Sequence, residues 1–475
     1  MALPTIIQGG MGVGVSSSRL ARTVSRAGQL GVVSGTASGV TQARQLAIGD
    51  PGGHVRRALD AFPYPEVAAR IGARYLDAAG RDGAALMPSI PQPSLDPPAV
   101  LTELTVVGNF VEVWLAKEGH DQPVGINYLE KLQLPTLASL YGALLAGVDY
   151  VLMGAGVPAR IPALLDDLSE HRRVRMPVTV EGSTRGERFE IAFDPATMAG
   201  TNGFPELVRP RFLAIVSSAT MATYLARNAA GSPDGFVVEF PTAGGHNAPP
   251  RGKLALDDAG EPVYGPRDAI DLDAIAALGL PFWLAGGFAT PDRLAEARAG
   301  GAQGVQIGTA FAFCDESGLT PELKADGLRQ ALEGTATVRT DPRASPTGYP
   351  FKILQAERTI SEPDTYQQRP RRCDLGYLRV PYVSHDGTVG YRCAAEPVDD
   401  YLRKGGDIAD TTGRRCLCNA LVATIGLGQQ RADGYVEPPL LTAGDDITGL
   451  HRFVPEGATS YSALDVLDHL LRTPP

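Results

Sequence analysis

Eight short apolar runs recur along the first 307 residues, and a stretch with helical spacing of apolar residues follows each of them. Runs of this kind are typical of strands buried on both faces of a parallel sheet. Eight strand–helix repeats indicate α/β class and a closed (β/α)₈ TIM barrel rather than an open sheet. The predicted strands are residues 4–8, 31–34, 123–128, 149–153, 212–216, 235–239, 281–285 and 304–307.

Two insertions interrupt this alternation. Residues 37–103 are rich in Ala, Gly and Pro and exceed the length of a simple βα loop, whereas residues 175–205 begin with a predicted polar hairpin. After about residue 340 the alternation ends, and four cysteines occur in the segment that follows. We therefore predict a barrel domain over residues 1–340 and a C-terminal extension over residues 341–475.

Charge and hydropathy exclude several classes of protein. The chain has 43 Lys and Arg against 53 Asp and Glu, a net charge of −10, and no strongly basic segment, so nucleic acid is not an expected partner. No uninterrupted apolar run reaches the ~18 residues that span a bilayer, and the N-terminus lacks the features of a signal peptide. We expect a cytoplasmic enzyme that acts on a small molecule away from membranes.

A glycine-rich loop, QGGMGVG at residues 8–14, directly follows the first strand. In a Rossmann fold such a loop binds a dinucleotide, but the second strand would then end in an acidic residue that holds a ribose. It ends instead in Ser34 and Gly35. A loop whose backbone lies against a flat ligand at the carboxyl end of a barrel strand is favoured, with a simple tight turn as the alternative.

Two more glycine-bearing loops follow the seventh and eighth strands. They contain Gly286 and Gly287 in the first case, and Gln306, Gly308 and Thr309 in the second. In TIM barrels these two positions commonly form a phosphate site. The sequence therefore predicts phosphate binding here, with ordinary loop glycines as the alternative.

His246 stands among glycines after the sixth strand, in the sequence TAGGHNAPPR. A histidine at the catalytic end of a barrel can deprotonate a carbon acid or hold an anionic substrate. The other histidines are scattered and show no metal-binding spacing. We interpret His246 as the catalytic candidate.

The cysteines do not suggest a disulfide framework, because their number is odd and no export signal precedes them. Cys314 stands alone. The remaining four match neither a zinc ribbon nor a ferredoxin spacing, although two of them are separated by a single residue. They are either buried packing residues or ligands of a structural zinc or iron–sulfur centre. These four are Cys373, Cys393, Cys416 and Cys418.

Taken together, the motifs resemble the nitronate monooxygenase family, formerly called 2-nitropropane dioxygenases. That superfamily includes FMN-dependent enoyl-acyl carrier protein reductases and trans-acting enoyl reductases of fatty acid and polyketide synthases. The resemblance covers all eight predicted strands, in the family's order. Its motifs are PTIIQGGMGVGV, GVVSG, VGIN, MGAGVP, EFPTAGGHN and LAGGFAT with GVQIGTAF.

The resemblance implies an FMN-binding barrel in which residues 8–11 lie along the flavin ring and Asn127 contacts it. The loops at residues 286–287 and 308–309 would hold the phosphate, and His246 would face the substrate. The full set of implied cofactor-binding residues is Gln8, Gly9, Gly10, Met11, Asn127, Gly154, Ala155, Gly245, Gly286, Gly287, Gln306, Gly308 and Thr309.

Two reactions follow from the resemblance. In the first, a nitronate is oxidised with O₂ to a carbonyl compound and nitrite. In the second, NAD(P)H is the electron donor for the reduction of an enoyl thioester, which is free or bound to an acyl carrier protein. The substrate is open because Thr242 stands where the family usually has an acidic residue before AGGH. A flavin-binding protein without turnover is a third alternative.

Overall fold

The computed structural model describes residues 3–81, 86–201 and 203–472. Its strands in chain order are β1 (Ile6–Gln8), β2 (Gly31–Ser34), β3 (Val124–Leu129), β4 (Tyr150–Gly154), β5 (Val174–Val178), β6 (Phe189–Phe193), β7 (Arg211–Val216), β8 (Gly235–Glu239), β9 (Phe282–Ala285), β10 (Gly304–Ile307), β11 (Val338–Asp341), β12 (Phe351–Leu354), β13 (Val380–Val383) and β14 (Val389–Arg392).

The α-helices are α1 (Ser18–Arg26), α2 (Ser38–Ala47), α3 (His54–Asp60), α4 (Pro65–Tyr75), α5 (Ala99–Lys117), α6 (Thr136–Leu145), α7 (Ile161–Ser169), α8 (Ala196–Ala199), α9 (Ala219–Ala226), α10 (Leu272–Ala276), α11 (Pro291–Ala299), α12 (Thr309–Ala312), α13 (Pro321–Glu333), α14 (Pro363–Gln368), α15 (Val398–Arg403), α16 (Leu417–Ala423) and α17 (Ala463–Leu471). Short 3₁₀ helices span Pro266–Asp268, Ile408–Thr411 and Asp445–Phe453.

Eight strands form one parallel sheet in the order β1-β10-β9-β8-β7-β4-β3-β2. The two end strands meet, because a parallel bridge joins Ile7 to Leu30 and the N–H of Gln8 donates to the Leu30 carbonyl at 2.9 Å. The sheet therefore closes on itself. The predicted TIM barrel is confirmed, and each predicted strand corresponds to an observed one.

The interior of the barrel is filled by large apolar side chains. Trp283 on β9 is fully buried there, and its indole N–H donates to the Pro4 carbonyl at 2.8 Å. Ile7, Leu152 and Val237 pack against it from other strands. Because this layer blocks the barrel's axis, a ligand can reach only the loops at the strand ends.

The helix α5 has 19 residues and is the one helix in the described residues that is long and apolar enough to cross a membrane. Most of it is buried inside the protein, where it packs against α2 and α6. The helix is therefore a core helix of the protein, in the wall around the barrel.

The insertions have regular structure. The first contains α2, α3 and α4, which pack on α5, and the second contains the antiparallel pair β5 and β6 followed by the short α8. Inward-facing Val174, Met176 and Val178 of β5 are buried, whereas Arg175 and Pro177 between them are exposed. This alternation explains why the pair could be anticipated from its pattern.

The segment after residue 341 packs back onto the catalytic end of the barrel. β12 extends along the loop after β8, where Lys352 N–H donates to the Gly245 carbonyl and Asn247 N–H to the Pro350 carbonyl, each at 2.9 Å. The turn before Asp445 lies against the loops after β8 and β10. The predicted extension thus contributes to the same end of the barrel as the glycine loops.

Glu112 on α5 is buried, and its carboxylate accepts a hydrogen bond from Gln42 at 2.5 Å. Burial raises the pKa of Glu112 from 4.5 to about 7. The folded chain therefore binds more protons than the unfolded chain between these values, and the free energy of unfolding falls as pH rises through them. Glu112→Gln removes this effect. We expect the free energy of unfolding of the variant, relative to that of the wild type, to increase by about 3 kcal/mol from pH 4 to pH 8.

Urea denaturation of both proteins at several pH values measures this difference. Glu103→Gln is the matched control, because Glu103 lies on the same helix but pairs with Arg70. A constant difference between the Glu112 variant and the wild type across this range would contradict the prediction.

Candidate functional site

A cavity lies at the carboxyl ends of the barrel strands. Residues at the ends of all eight strands, or directly after them, contribute to its wall, and so does the C-terminal extension. The predicted site residues that line it are Gly9, Gly10, Met11, Asn127, Gly154, Ala155, Gly245, His246, Gly286, Gly287, Gln306, Gly308 and Thr309.

Gln8 is not among the lining residues, and the expectation that it lies along a flavin ring is corrected. Its side chain is fully buried; the amide nitrogen donates to Ser16 Oγ at 2.8 Å and to the Gly9 carbonyl at 2.5 Å. Its amide oxygen accepts from the Val32 N–H at 3.1 Å. Gln8 therefore uses its polar atoms to hold the loop after β1 against β2.

The backbone after β1 approaches β3 closely. A Cβ at Gly10 would lie 2.1 Å from the Asn127 Cβ, so only glycine fits here without movement. Asn127 Oδ1 and Gln306 Oε1 both line the cavity and are buried without a hydrogen-bond partner among the described residues. A buried acceptor without a donor costs about 1–3 kcal/mol. These two oxygens are therefore suited to a ligand that supplies N–H or O–H donors.

The loops after the adjacent strands β9 and β10 both line the cavity. Gly286 and Gly287 have φ of +99° and +76°, a conformation that glycine adopts easily, and a Cβ at Gly286 would lie 2.8 Å from Thr242 Oγ1. Thr309 Oγ1 accepts from the Gly444 N–H at 2.8 Å. Backbone is thus exposed to the cavity on both loops, as a bound phosphate requires.

His246 enters the cavity from the loop after β8. Its Nε2 is 2.7 Å from Ser345 Oγ, and its ring lies edge-on to Phe351 with centroids 4.8 Å apart. Nδ1 makes no hydrogen bond to the described residues. Burial, with a further contribution from Lys131, lowers the pKa of His246 to about 4. The imidazole is therefore neutral at pH 7 and cannot attract an anion by its own charge.

Glu239 ends β8 and also lines the cavity. Burial raises the pKa of its carboxyl from 4.5 to about 8, so this group carries a proton at neutral pH. The sequence reasoning noticed Glu239 only as a point of comparison with the family motif. A carboxyl at the end of a buried barrel strand was the available signal for a functional group.

The C-terminal extension supplies cavity residues for which the sequence carried no motif. Thr442 Oγ1 accepts from the Gly245 N–H at 2.9 Å, and Asp445 N–H donates to the Thr242 carbonyl at 3.1 Å. Asp446 faces Thr309, and burial raises the pKa of its carboxyl. The lining residues missed by sequence reasoning in this segment are Phe351, Leu421, Thr424, Leu440, Thr442, Ala443 and Asp446.

The four clustered cysteines lie outside this cavity, around a much smaller one. Cys314 is separate from them, and its thiol donates to the Phe311 carbonyl at 3.1 Å. Within the residues that the structure describes, no three His, Cys, Asp or Glu side chains are placed to hold a metal ion.

The family model of nitronate monooxygenase matches residues 207–356, the second half of the barrel and the start of the extension. The (3aS,4S,5R,7aS)-5-hydroxy-7a-methyl-1-oxo-octahydro-1H-indene-4-carboxyl-CoA dehydrogenase of Mycobacterium tuberculosis is 31% identical over 144 residues. That match covers 30% of this chain and 36% of the relative, so the chain spans about a third of the length of this curated relative.

Among solved structures, FabK from Thermotoga maritima has 15% identity and a TM-score of 0.48, with 98% of this chain and 91% of that chain covered. Nitroalkane oxidase from Streptomyces ansochromogenes has 19% identity and a TM-score of 0.38, with 75% and 78% covered. These structural likenesses are distant. The family match confirms, over residues 207–356, the resemblance predicted from the motifs.

Proposed function

We propose that this oxidoreductase, which matches the nitronate monooxygenase family in the second half of its barrel, binds FMN and oxidises a nitronate with O₂ to a carbonyl compound and nitrite. The observation that carries the proposal is a partly buried histidine with a lowered pKa, in a glycine-lined cavity at the catalytic end of a TIM barrel.

The cavity fits FMN. Asn127 Oδ1 and Gln306 Oε1 are buried acceptors that need donors, which a flavin's ring N–H and ribityl hydroxyls supply. The loops at residues 286–287 and 308–309 would hold the phosphate, and Gly10 lets the loop after β1 pack directly on Asn127. When bound, FMN accepts electrons from one substrate and delivers them to another.

His246 orients the substrate or moves a proton. In one tautomer, Nε2 accepts from the Ser345 hydroxyl, and Nδ1 carries the hydrogen and donates it to an oxygen of the nitronate. In the other tautomer, Nε2 donates to Ser345, and the free Nδ1 is a base for the carbon proton of a nitroalkane. Ser345 therefore selects the role. Lys131 lies within electrostatic range of His246; its ammonium lies 3.8 Å from the centre of the Tyr349 ring and donates to the Thr347 carbonyl.

Anaerobic mixing of the purified yellow protein with separate reductants tests the reaction. We expect nitronates to bleach the flavin absorbance, and admission of O₂ to restore it with release of nitrite. NADH and NADPH serve as the comparison. Rapid bleaching by NAD(P)H together with no response to a panel of nitronates would overturn the proposal.

A second candidate, reduction of an enoyl thioester with NAD(P)H, is favoured by Glu239. A carboxyl that keeps its proton at neutral pH inside the cavity is a suitable proton donor to the carbon next to a thioester carbonyl. The curated relative, by its name, is a dehydrogenase of a carboxyl-CoA compound. In this reading the thioester is free or carried on an acyl carrier protein.

The Glu239→Gln variant distinguishes the two reactions by their pH dependence. If Glu239 donates the proton, the wild-type rate with an enoyl thioester falls as pH rises through about 8, where the carboxyl ionises. The Gln variant is expected to be slower by 10²–10⁴-fold, the typical contribution of an acid–base group, and to lack this alkaline decline. An unchanged alkaline limb in the variant would exclude Glu239 as the donor.

A further inference from the structure

Four cysteines from three separate segments converge on one small cavity in the C-terminal extension. Cys373 follows α14, Cys393 follows β14, and Cys416 and Cys418 lie at the start of α16. All four line the same small cavity, and none of them forms a disulfide. Cys418 lies within electrostatic range of the other three. Residues scattered over 46 positions of sequence thus form one cluster of thiols.

Packing alone does not account for this arrangement. Protein interiors are close-packed, and thiols that serve as small apolar residues fill space rather than surround it. Here apolar neighbours, Pro346, Leu378 and Ala395, form part of the wall, and all four cysteines line the same small cavity. Convergence of four cysteines on one point is the arrangement of a cysteine-ligated metal site.

Cationic side chains and backbone N–H groups lie near the four sulfurs. Arg379 lies near Cys373 and Cys393, and Arg369 lies near Cys416. A backbone N–H also faces each sulfur: those of Gly376, Ala395, Asn419 and Leu378 face Cys373, Cys393, Cys416 and Cys418, respectively. Backbone donors of this kind tune cysteine-bound iron–sulfur clusters.

The spacing distinguishes a cluster from a single ion. A structural zinc ion draws four thiolates to about 2.3 Å from one point, which brings the sulfurs nearly into contact. In the described residues no three such side chains are close enough for that. Iron–sulfur clusters hold their four cysteines farther apart, around a core of several atoms.

We propose that Cys373, Cys393, Cys416 and Cys418 bind an iron–sulfur cluster in the C-terminal extension. The cluster fastens three segments together behind the catalytic cavity. Pro346, which lines the cluster cavity, adjoins Ser345, the hydrogen-bond partner of His246. The helix α16, which begins beside Cys416, carries Leu421 into the catalytic cavity.

Iron, zinc and acid-labile sulfide are measured in the full-length protein purified without oxygen. The expected result is about two or four iron atoms per chain with as much sulfide, the composition of clusters held by four cysteines. A broad visible absorbance should remain after the flavin is removed. The measurement does not depend on turnover, so it is independent of the proposed function.

Cys393→Ser and Cys418→Ser are expected to lose most of the iron and sulfide, whereas the matched control Cys314→Ser, a buried cysteine outside the cluster, keeps both. About one zinc per chain without sulfide would overturn the proposal, as would disulfides among the four cysteines or absence of any metal. If the two variants fail to fold, the wild-type metal and sulfide content decides the matter alone.

Discussion

The Gly308→Asp variant is expected to fold and to be purified without flavin. Gly308 follows β10 with φ of −108°, so another residue is accommodated, and a Cβ there would lie 3.9 Å from Met11 Sδ in ordinary contact. The new carboxylate would face the phosphate that the loops at residues 286–287 and 308–309 are proposed to hold. Juxtaposed like charges cost several kcal/mol, so FMN affinity should fall by at least about 100-fold.

Titration of the apoprotein with FMN, followed by flavin fluorescence, measures the effect. Gly308→Ala adds the same Cβ without the charge and should retain the cofactor. Gly287 is less suitable for this test, because its φ of +76° strains any other residue. Equal loss of FMN in the Ala and Asp variants would show a steric effect and contradict charge repulsion at a phosphate.

His246→Ala is expected to keep FMN and lose most turnover. The ring contacts Ser345 and Phe351 rather than the proposed phosphate loops, so the cofactor should remain, whereas loss of a positioned acid–base group typically costs 10²–10⁴-fold. The loss should be smaller with a preformed nitronate than with the neutral nitroalkane, from which a carbon proton must be removed.

The pH profile gives a second readout for the same residue. Because the pKa of His246 is lowered to about 4, the wild-type kcat/KM should show its acid limb from this group near pH 4, with no inflection at 6.5. His385→Ala, at an exposed position, is the matched control. Equal losses on nitroalkane and nitronate would count against a base and favour a role in binding the substrate's oxygen.

The barrel could be predicted because its strands carry a local signal. Strands buried on both faces, such as β8, have sequences that are continuous apolar runs, and turns that contain glycine follow them. The first insertion gave no comparable signal: α2 begins at Ser38 after a residue with positive φ and lacks a side-chain N-cap, so its start could not be read from the usual residue types.

The remainder of the site depends on contacts that span long stretches of sequence. Ser345 reaches His246 and Thr442 reaches Gly245 from about 100 and 200 positions away, and no short motif encodes such pairs. Gln8 is the opposite case, a residue that was expected at the site and does not line the cavity. It adjoins a loop that lines the cavity, yet Ser16 and Val32 draw its polar atoms inward.

Hydrogen bonds join Thr442, Gly444 and Asp445 to the barrel loops, and they bear on the order of events during synthesis. All eight barrel strands precede residue 308, so the barrel can close on the ribosome while the cavity at its strand ends is still open to solvent. The proposed FMN can enter during that interval. Docking of the last segment then covers it, and release from the finished protein would proceed at the rate at which that segment locally unfolds.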